Sequence, residues 1–255
     1  MKNKKIKNVF ITGGAKRIGA CIAEHLARMN YNIIIHYNKS ESAAQTLSKK
    51  LKSNGKNVYC VKANLTNTKE IKLAFEKAVK KFGYIDCLIN NASTFEYDNL
   101  KSLDYKSWQK HISANLTAPM ILSKLFNYHL NKKKGDIINI IDQRVLNLTP
   151  HFLSYTISKS GLWTLTQTLA LELAPKIKVN AIGPGPVIKS KFQTEKQFSK
   201  QCGSMPLKIG SNPSEIAQTV IYLLSIPSIT GQLITLDGGQ HLGWGQVKNN
   251  NSIKD

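Results

Sequence analysis

The stretch Thr12-Gly13-Gly14-Ala15-Lys16-Arg17-Ile18-Gly19 decides the reading of this chain. It follows an apolar run at 8–12 and precedes a helical pattern at 17–29. A glycine-rich turn between a first strand and a first helix lets backbone N–H groups approach a pyrophosphate, which also gains from the helix N-terminus. A purely structural turn would use the same residues. Its place in the first strand–helix unit points to a dinucleotide.

Working outward, strand-like runs at 8–12, 32–36, 58–62, 85–90, 136–141, 177–182 and 233–236 alternate with helical patterns at 17–29, 41–54, 68–82, 105–130, 152–174 and 213–224. Several strands are continuous Ile/Val/Leu runs, as expected when helices cover both sheet faces. The alternation predicts an α/β fold: a doubly wound, parallel, seven-stranded sheet of the Rossmann type in a single domain over 1–246. Gly183-Pro184-Gly185-Pro186 breaks the rhythm and opens a polar stretch, so 187–210 is expected to be a mobile lid loop. Asn212, Pro213 and Glu215 mark the next helix start. Residues 247–255 read as a polar, disordered tail, and Trp244 before it is expected at a subunit interface or near a neighbouring site.

Composition excludes several classes. No run approaches the ~20 apolar residues of a membrane helix, and the apolar stretch 9–11 is too short for a signal peptide. Cys21, Cys60, Cys87 and Cys202 show no CxxC pairing, which fits a reducing cytoplasm. The six histidines show no metal-ligand spacing, so no metal is expected. A net charge of +21 suggests nucleic acid. Only Arg17, Arg28 and Arg144 among the 36 basic residues are arginine, however, and the lysines spread over helix surfaces and both termini rather than gathering with aromatics. A solvated surface is the favoured reading, and the charge can steer anionic ligands inward.

Tyr155 and Lys159 stand four residues apart, on one helix face with Cβ atoms roughly 5–6 Å apart. The Lys159 ammonium is expected to lower the phenol pKa of Tyr155 from its usual ~10, which suits a general acid. Cofactor discrimination is read after the second strand, where NAD enzymes usually offer a carboxylate to the ribose. Here the residues are His36-Tyr37-Asn38-Lys39-Ser40, with no carboxylate before Glu41. Lys39 supplies charge, and His36 and Ser40 can donate hydrogen bonds to a 2′-phosphate. Arg17 adds a planar fork. The set favours NADP(H).

Together with Asn90-Asn91-Ala92, Asn115 and Pro184-Gly185, these motifs resemble the short-chain dehydrogenase/reductase family over residues 8–239. The resemblance implies cofactor contacts from Thr12, Gly13, Arg17, Ile18, Gly19, Asn91, Ala92, Pro184, Gly185 and the backbone near Val187. It implies an adenine end at Asn64 and Leu65, with asparagine where relatives often have aspartate. Asn115 would organise a water relay to Lys159, and Tyr155 and Lys159 would also contact the cofactor, Lys159 at the nicotinamide ribose. The family also implies a homotetramer.

The departures narrow the substrate. Most members place a serine thirteen residues before the tyrosine, whereas this chain has Asp142. An ionised carboxylate is a poor oxyanion stabiliser and raises the pKa of a neighbouring phenol. It suits a nitrogen heterocycle that must be protonated or held through N–H groups. Arg17 in the glycine turn, Ser93-Thr94-Phe95 after Ala92 and the His-Tyr-x-x-Ser pattern are similar to pteridine reductases and dihydromonapterin reductases. That likeness implies that Phe95 stacks a pterin on the nicotinamide and that Ser93 and Arg17 contact pterin and phosphates. Asp142, Tyr155 and Lys159 would deliver the proton. Phe95 as a loop anchor and Asp142 as a partner for Arg144 are the plainer readings. The expected reaction is reduction of a dihydropterin by NADPH. The alternatives are a 3-oxoacyl or other carbonyl reductase of the same family and, more remotely, a redox-sensing or nucleic-acid-binding protein without turnover.

Overall fold

The run Ile33-Ile34-Ile35 is apolar throughout because its alternate side chains enter two different cores. In the computed structural model, Ile33 and Ile35 join Val9, Ile11, Ile138, Ile140 and Ile182 on one sheet face. Ile34 joins Phe10, Leu88, Ile137 and Val179 on the other. The structure describes residues 6–130, 133–189 and 193–243. Within them the strands are β1 (Asn8–Ile11), β2 (Asn32–Tyr37), β3 (Val58–Lys62), β4 (Cys87–Asn90), β5 (Gly135–Ile140), β6 (Ile177–Pro184) and β7 (Leu233–Leu236). They form one parallel sheet in the order β3-β2-β1-β4-β5-β6-β7. This is the doubly wound fold expected, with the order reversing between β1 and β4, where such folds bind ligands.

Helices α1 (Arg17–Arg28), α2 (Glu41–Ser53) and α8 (Pro213–Ser225) cover the first face with Ile22, Leu26, Leu47, Leu51, Val220 and Leu223. Helices α3 (Thr68–Phe82), α5 (Ala118–Leu130) and α6 (Leu153–Leu173) cover the second with Ile71, Phe75, Leu122, Phe126, Ala170 and Leu173. The Phe75 ring lies 5.4 Å from that of Phe10, and truncating such a buried ring to alanine typically costs about 3–5 kcal/mol. A buried polar chain ties the carboxyl ends of the central strands to α6. Asn90 Nδ2 donates to Asn139 Oδ1 at 2.8 Å, and Asn139 Nδ2 to Thr166 Oγ1 at 2.8 Å.

Three expectations need correction. The sixth strand does not end at Ile182: Gly183 and Pro184 pair with Thr235 and Leu236 of the edge strand, and Gly185 N–H donates to Leu236 O at 2.9 Å. The single helix expected over 105–130 is α4 (Tyr105–Ile112) and α5 joined by a π-helical turn, Ser113–Thr117. The segment 187–210 is not one loop, because α7 (Glu195–Gly203) forms inside it. Thr194 and Gln197 cap α7 reciprocally, satisfying N–H groups that otherwise disfavour a short helix. The expected tail 247–255 and Trp244 lie outside the described residues.

Candidate active site

The glycine turn after β1 is held by side chains that bond to backbone. Thr12 Oγ1 accepts from Asn91 N at 2.8 Å and Ala92 N at 2.9 Å. Asn91 Nδ2 donates to Thr12 O at 2.8 Å and Gly13 O at 3.2 Å. Gly13 has φ +61°, and a Cβ on Gly19 would collide with the Gly13 carbonyl and sit 2.6 Å from Asn91 Nδ2. Neither site tolerates a side chain. The first turn of α1 carries no acidic residue and no side-chain cap, so its N–H groups are presented to an anion. Arg17 takes a left-handed φ of +52° and reaches Ile188 O at 3.1 Å. It thereby links the turn to the segment beyond Val187. A non-glycine residue there costs about 1 kcal/mol or more, which marks Arg17 as a site where backbone strain and an exposed guanidinium coincide.

The residues after β2 divide. Asn38 and Lys39 are exposed and Ser40 is half-buried, beside a buried Tyr37. Glu41 is engaged with Lys62 at 3.9 Å and with the Tyr37 hydroxyl. His36 contradicts the expectation of a phosphate donor: it is 2 % exposed. Its Nδ1 accepts from Gly13 N at 3.1 Å and its Nε2 donates to Ala63 O at 3.0 Å. Burial lowers its pKa to about 4, so it stays neutral and props the glycine turn from within. Asn64 turns inward on its own loop, where Oδ1 accepts from Thr66 N at 3.1 Å, and Leu65 is buried in the second core.

Asp142, Tyr155, Lys159, Asn115, Ser93 and Phe95 do come together at the carboxyl ends of β4 and β5. Asp142 heads a short 3₁₀ turn, Gln143–Val145, where its Oδ1 accepts from Arg144 N at 2.9 Å. Its Oδ2 accepts from the Tyr155 hydroxyl at 2.9 Å and lies 3.3 Å from Arg144 Nη1. Both readings of Asp142 therefore hold at once: it partners Arg144 and faces Tyr155. Lys159 instead donates to Ile140 O at 2.8 Å, its ammonium 5.8 Å from the Tyr155 ring centre. The expected lowering of the tyrosine pKa is overturned. Burial first, and the Asp142 carboxylate second, hold the phenol well above its ordinary value near 10. Burial brings Lys159 down to about 8 against a modest opposing pull from Asp142. The site thus presents a neutral phenol whose proton points at a carboxylate.

Asn115 sits in the π-helical turn, which rotates its amide onto the loop opposite. It accepts from Thr94 N at 2.8 Å and donates to Thr94 O at 2.9 Å and Ser158 Oγ at 3.0 Å. Phe95 is 44 % exposed. It stacks on Phe152, with centroids 4.5 Å apart and planes at 10°, and meets Tyr155 edge-on at 4.7 Å. The Arg144 guanidinium lies 5.6 Å from the Phe95 ring centre and 5.1 Å from that of Phe152. Sequence reasoning did not find Phe152 or the platform role of Arg144. The signal for Arg144 was the choice of arginine in a chain that has only two others.

Residues 7–200 match the model of the short chain dehydrogenase family, and the chain belongs to that family. It is similar to a solved structure of FolM alternative dihydrofolate reductase 1 from Brucella canis complexed with NADP. The two are 40% identical, with a TM-score of 0.90 over 93% of this chain and 95% of that one. Among curated relatives, glucose 1-dehydrogenase 2 of Bacillus subtilis is 31% identical over 92% of this chain and 95% of its own length. The 3-oxoacyl-[acyl-carrier-protein] reductase FabG of Staphylococcus epidermidis is 30% identical over 92% and 99%.

Proposed function

We propose that this protein is an NADP(H)-dependent reductase that converts a dihydropterin, of the dihydromonapterin, dihydrobiopterin or dihydrofolate type, to its tetrahydro form. The observation that carries the reading is the 2.9 Å hydrogen bond from Tyr155 to Asp142. The FolM structure, complexed with NADP, supports it. The chain fits the dinucleotide: the Gly13 and Gly19 turn and the uncapped start of α1 suit a pyrophosphate. Exposed Lys39, with Glu41 already engaged by Lys62, suits a 2′-phosphate better than a free ribose diol.

When bound, the nicotinamide supplies a hydride to a ring carbon of the substrate. The chain's own residues manage the proton. Tyr155 keeps its phenolic hydrogen because burial and Asp142 disfavour the phenolate. A ring nitrogen entering between the two groups meets a donor from Tyr155 and an acceptor in Asp142. Proton gain at that nitrogen leaves charge on the phenol, which the nearby Arg144 guanidinium favours. Phe95 and Phe152 offer a flat face and Ser93 a hydroxyl at its edge.

A carbonyl reductase is the second reading, favoured by the likeness to FabG. In that case the Asp142–Arg144 pair is a neutralised structural contact. An NADPH and NADH oxidation panel with the three dihydropterins, a β-ketoacyl thioester and a simple ketone separates the two. We expect dihydropterin turnover with NADPH and its loss in Asp142→Ser. Brisk ketone or thioester reduction without pterin turnover overturns the reading. We further propose a cytoplasmic homotetramer without a metal, which light scattering tests for assembly size.

A further inference from the structure

Helix α6, which carries Tyr155 and Lys159, begins without a cap of its own. Phe152 stands at its N-cap in a left-handed conformation, φ 59°, and provides no side-chain acceptor. The acceptors come from Asp98, more than fifty residues earlier. Asp98 O accepts from Phe152 N at 2.8 Å and Leu153 N at 3.4 Å, while its Oδ1 accepts from Ser154 N at 3.2 Å. The Ser154 hydroxyl donates to Asp98 Oδ2. His111 Nδ1 lies 2.7 Å from Ser154 Oγ, and His111 Nε2 accepts from Glu96 N at 3.2 Å. Because Nε2 is an acceptor, the proton sits on Nδ1 and points at Ser154. Asp98, His111 and Ser154 are each at most 2 % exposed. This is no hydrolytic triad, since the serine proton goes to the aspartate and no substrate reaches its oxygen.

We propose that Asp98, His111 and Ser154 act as one positioning unit that caps α6 from outside and fixes the 93–98 loop, with Phe95, against Tyr155, so that they set substrate affinity without touching substrate or cofactor. The inference rests on the reading that Phe95 and Tyr155 face the substrate. Both ends of the unit flank that pair: Glu96 follows Phe95, Ser154 precedes Tyr155, and the His111 ring stands 6.1 Å from that of Tyr155. Charge balance agrees. Burial lowers the His111 pKa against the raising influence of Asp98, Glu96 and a hydrogen bond to the Ser107 backbone, with Lys110 adding to the lowering, so a neutral ring completes the donor chain. Lys110 itself pairs with Glu96 on the outer side of the loop.

The two nitrogens of His111 do different work, and two substitutions separate them. Glutamine in place of His111 puts an oxygen near Nε2 and keeps the bond from Glu96 N, whereas asparagine puts an amide near Nδ1 and keeps only the bond to Ser154. We expect His111→Gln to hold the dihydropterin KM within about threefold of wild type. His111→Asn and His111→Ala should raise it about tenfold or more, with kcat reduced less than about threefold and NADPH affinity unchanged. Amide exchange of residues 93–98 in the NADPH-loaded protein should accelerate in the same order. Ser154→Ala, which removes one hydroxyl and should fold, should raise KM about fivefold. Equal behaviour of His111→Gln and His111→Asn, or unchanged exchange in His111→Ala, overturns the inference. Wild-type protein that turns over no dihydropterin, yet shows the expected order of exchange, overturns the functional reading and leaves the anchoring intact.

Discussion

The turns after β1 and β5 both open at the carboxyl edge of the sheet, yet they spend their polar groups in opposite ways. After β1, the side chains Thr12, Asn91 and His36 are consumed by backbone. What remains outward is the backbone N–H at the uncapped start of α1, which suits an anion. After β5, Asp142 caps the backbone of Arg144 with one oxygen, and its side chain also bonds to those of Arg144 and Tyr155. The first turn is a mould of backbone; the second is a hydrogen-bonded set of a carboxylate, a guanidinium and a neutral phenol. Substitutions should therefore affect binding on one side and chemistry on the other.

The sharpest division is expected from Tyr155→Phe. Losing the proton donor should lower kcat by about 10²–10⁴-fold while NADPH titrations remain unchanged. A variant that retains more than a tenth of wild-type kcat would erase the distinction. Gly19→Ala tests the opposite side: a Cβ that meets the Gly13 carbonyl and Asn91 must displace the mould. NADPH affinity should fall about thirtyfold or more, equivalent to ~2 kcal/mol, read by nucleotide fluorescence.

Lys159→Met exposes the cost of a buried charge. Burial lowers the lysine from 10.5 to about 8, so its folded form holds a proton less tightly than its unfolded form. That penalty is fully present below pH 8 and fades as pH rises towards 10.5. The variant should be inactive yet more stable than wild type by about 1–3 kcal/mol at pH 7, with the gap closing above pH 10 in denaturant titrations. A variant that is less stable at pH 7 would show that the bond to Ile140 O outweighs desolvation. The smallest effect belongs to Lys39→Gln at the exposed end of the binding side. One charge-assisted contact is worth about 1–2 kcal/mol, so the NADPH preference over NADH should fall roughly five- to thirtyfold in kcat/KM ratios.

The two sides were not equally legible. The β1 turn could be read from spacing, because glycines at fixed offsets have few backbone uses. Even there, His36 was misplaced: its position is local, but whether a ring points out to a phosphate or back to Gly13 depends on the packing of β2 against β3. At the second turn, Asp142, Tyr155 and Lys159 were visible as residue types at set intervals. Their electrostatics were not, because Lys159 proved to face Ile140 O and leave the phenol to Asp142. Thr194 and Gln197 carried a legible helix signal that the polarity around them obscured. The π-helical turn at Asn115 had no such signal, since one extra residue in a turn leaves the apolar pattern of 105–130 almost unchanged.

By itself, the sequence determined strand–helix alternation, the parallel sheet and the identity of the chemical groups, because periodicity and glycine placement act over a few residues. Tertiary structure alone decided which of those groups face one another. Asp98 capping a helix that starts at Leu153, Phe152 lying under Phe95, and a tyrosine holding its proton in the shadow of a carboxylate all join distant segments. Burial then sets their protonation, and no local pattern encodes the burial of a group by residues fifty positions away.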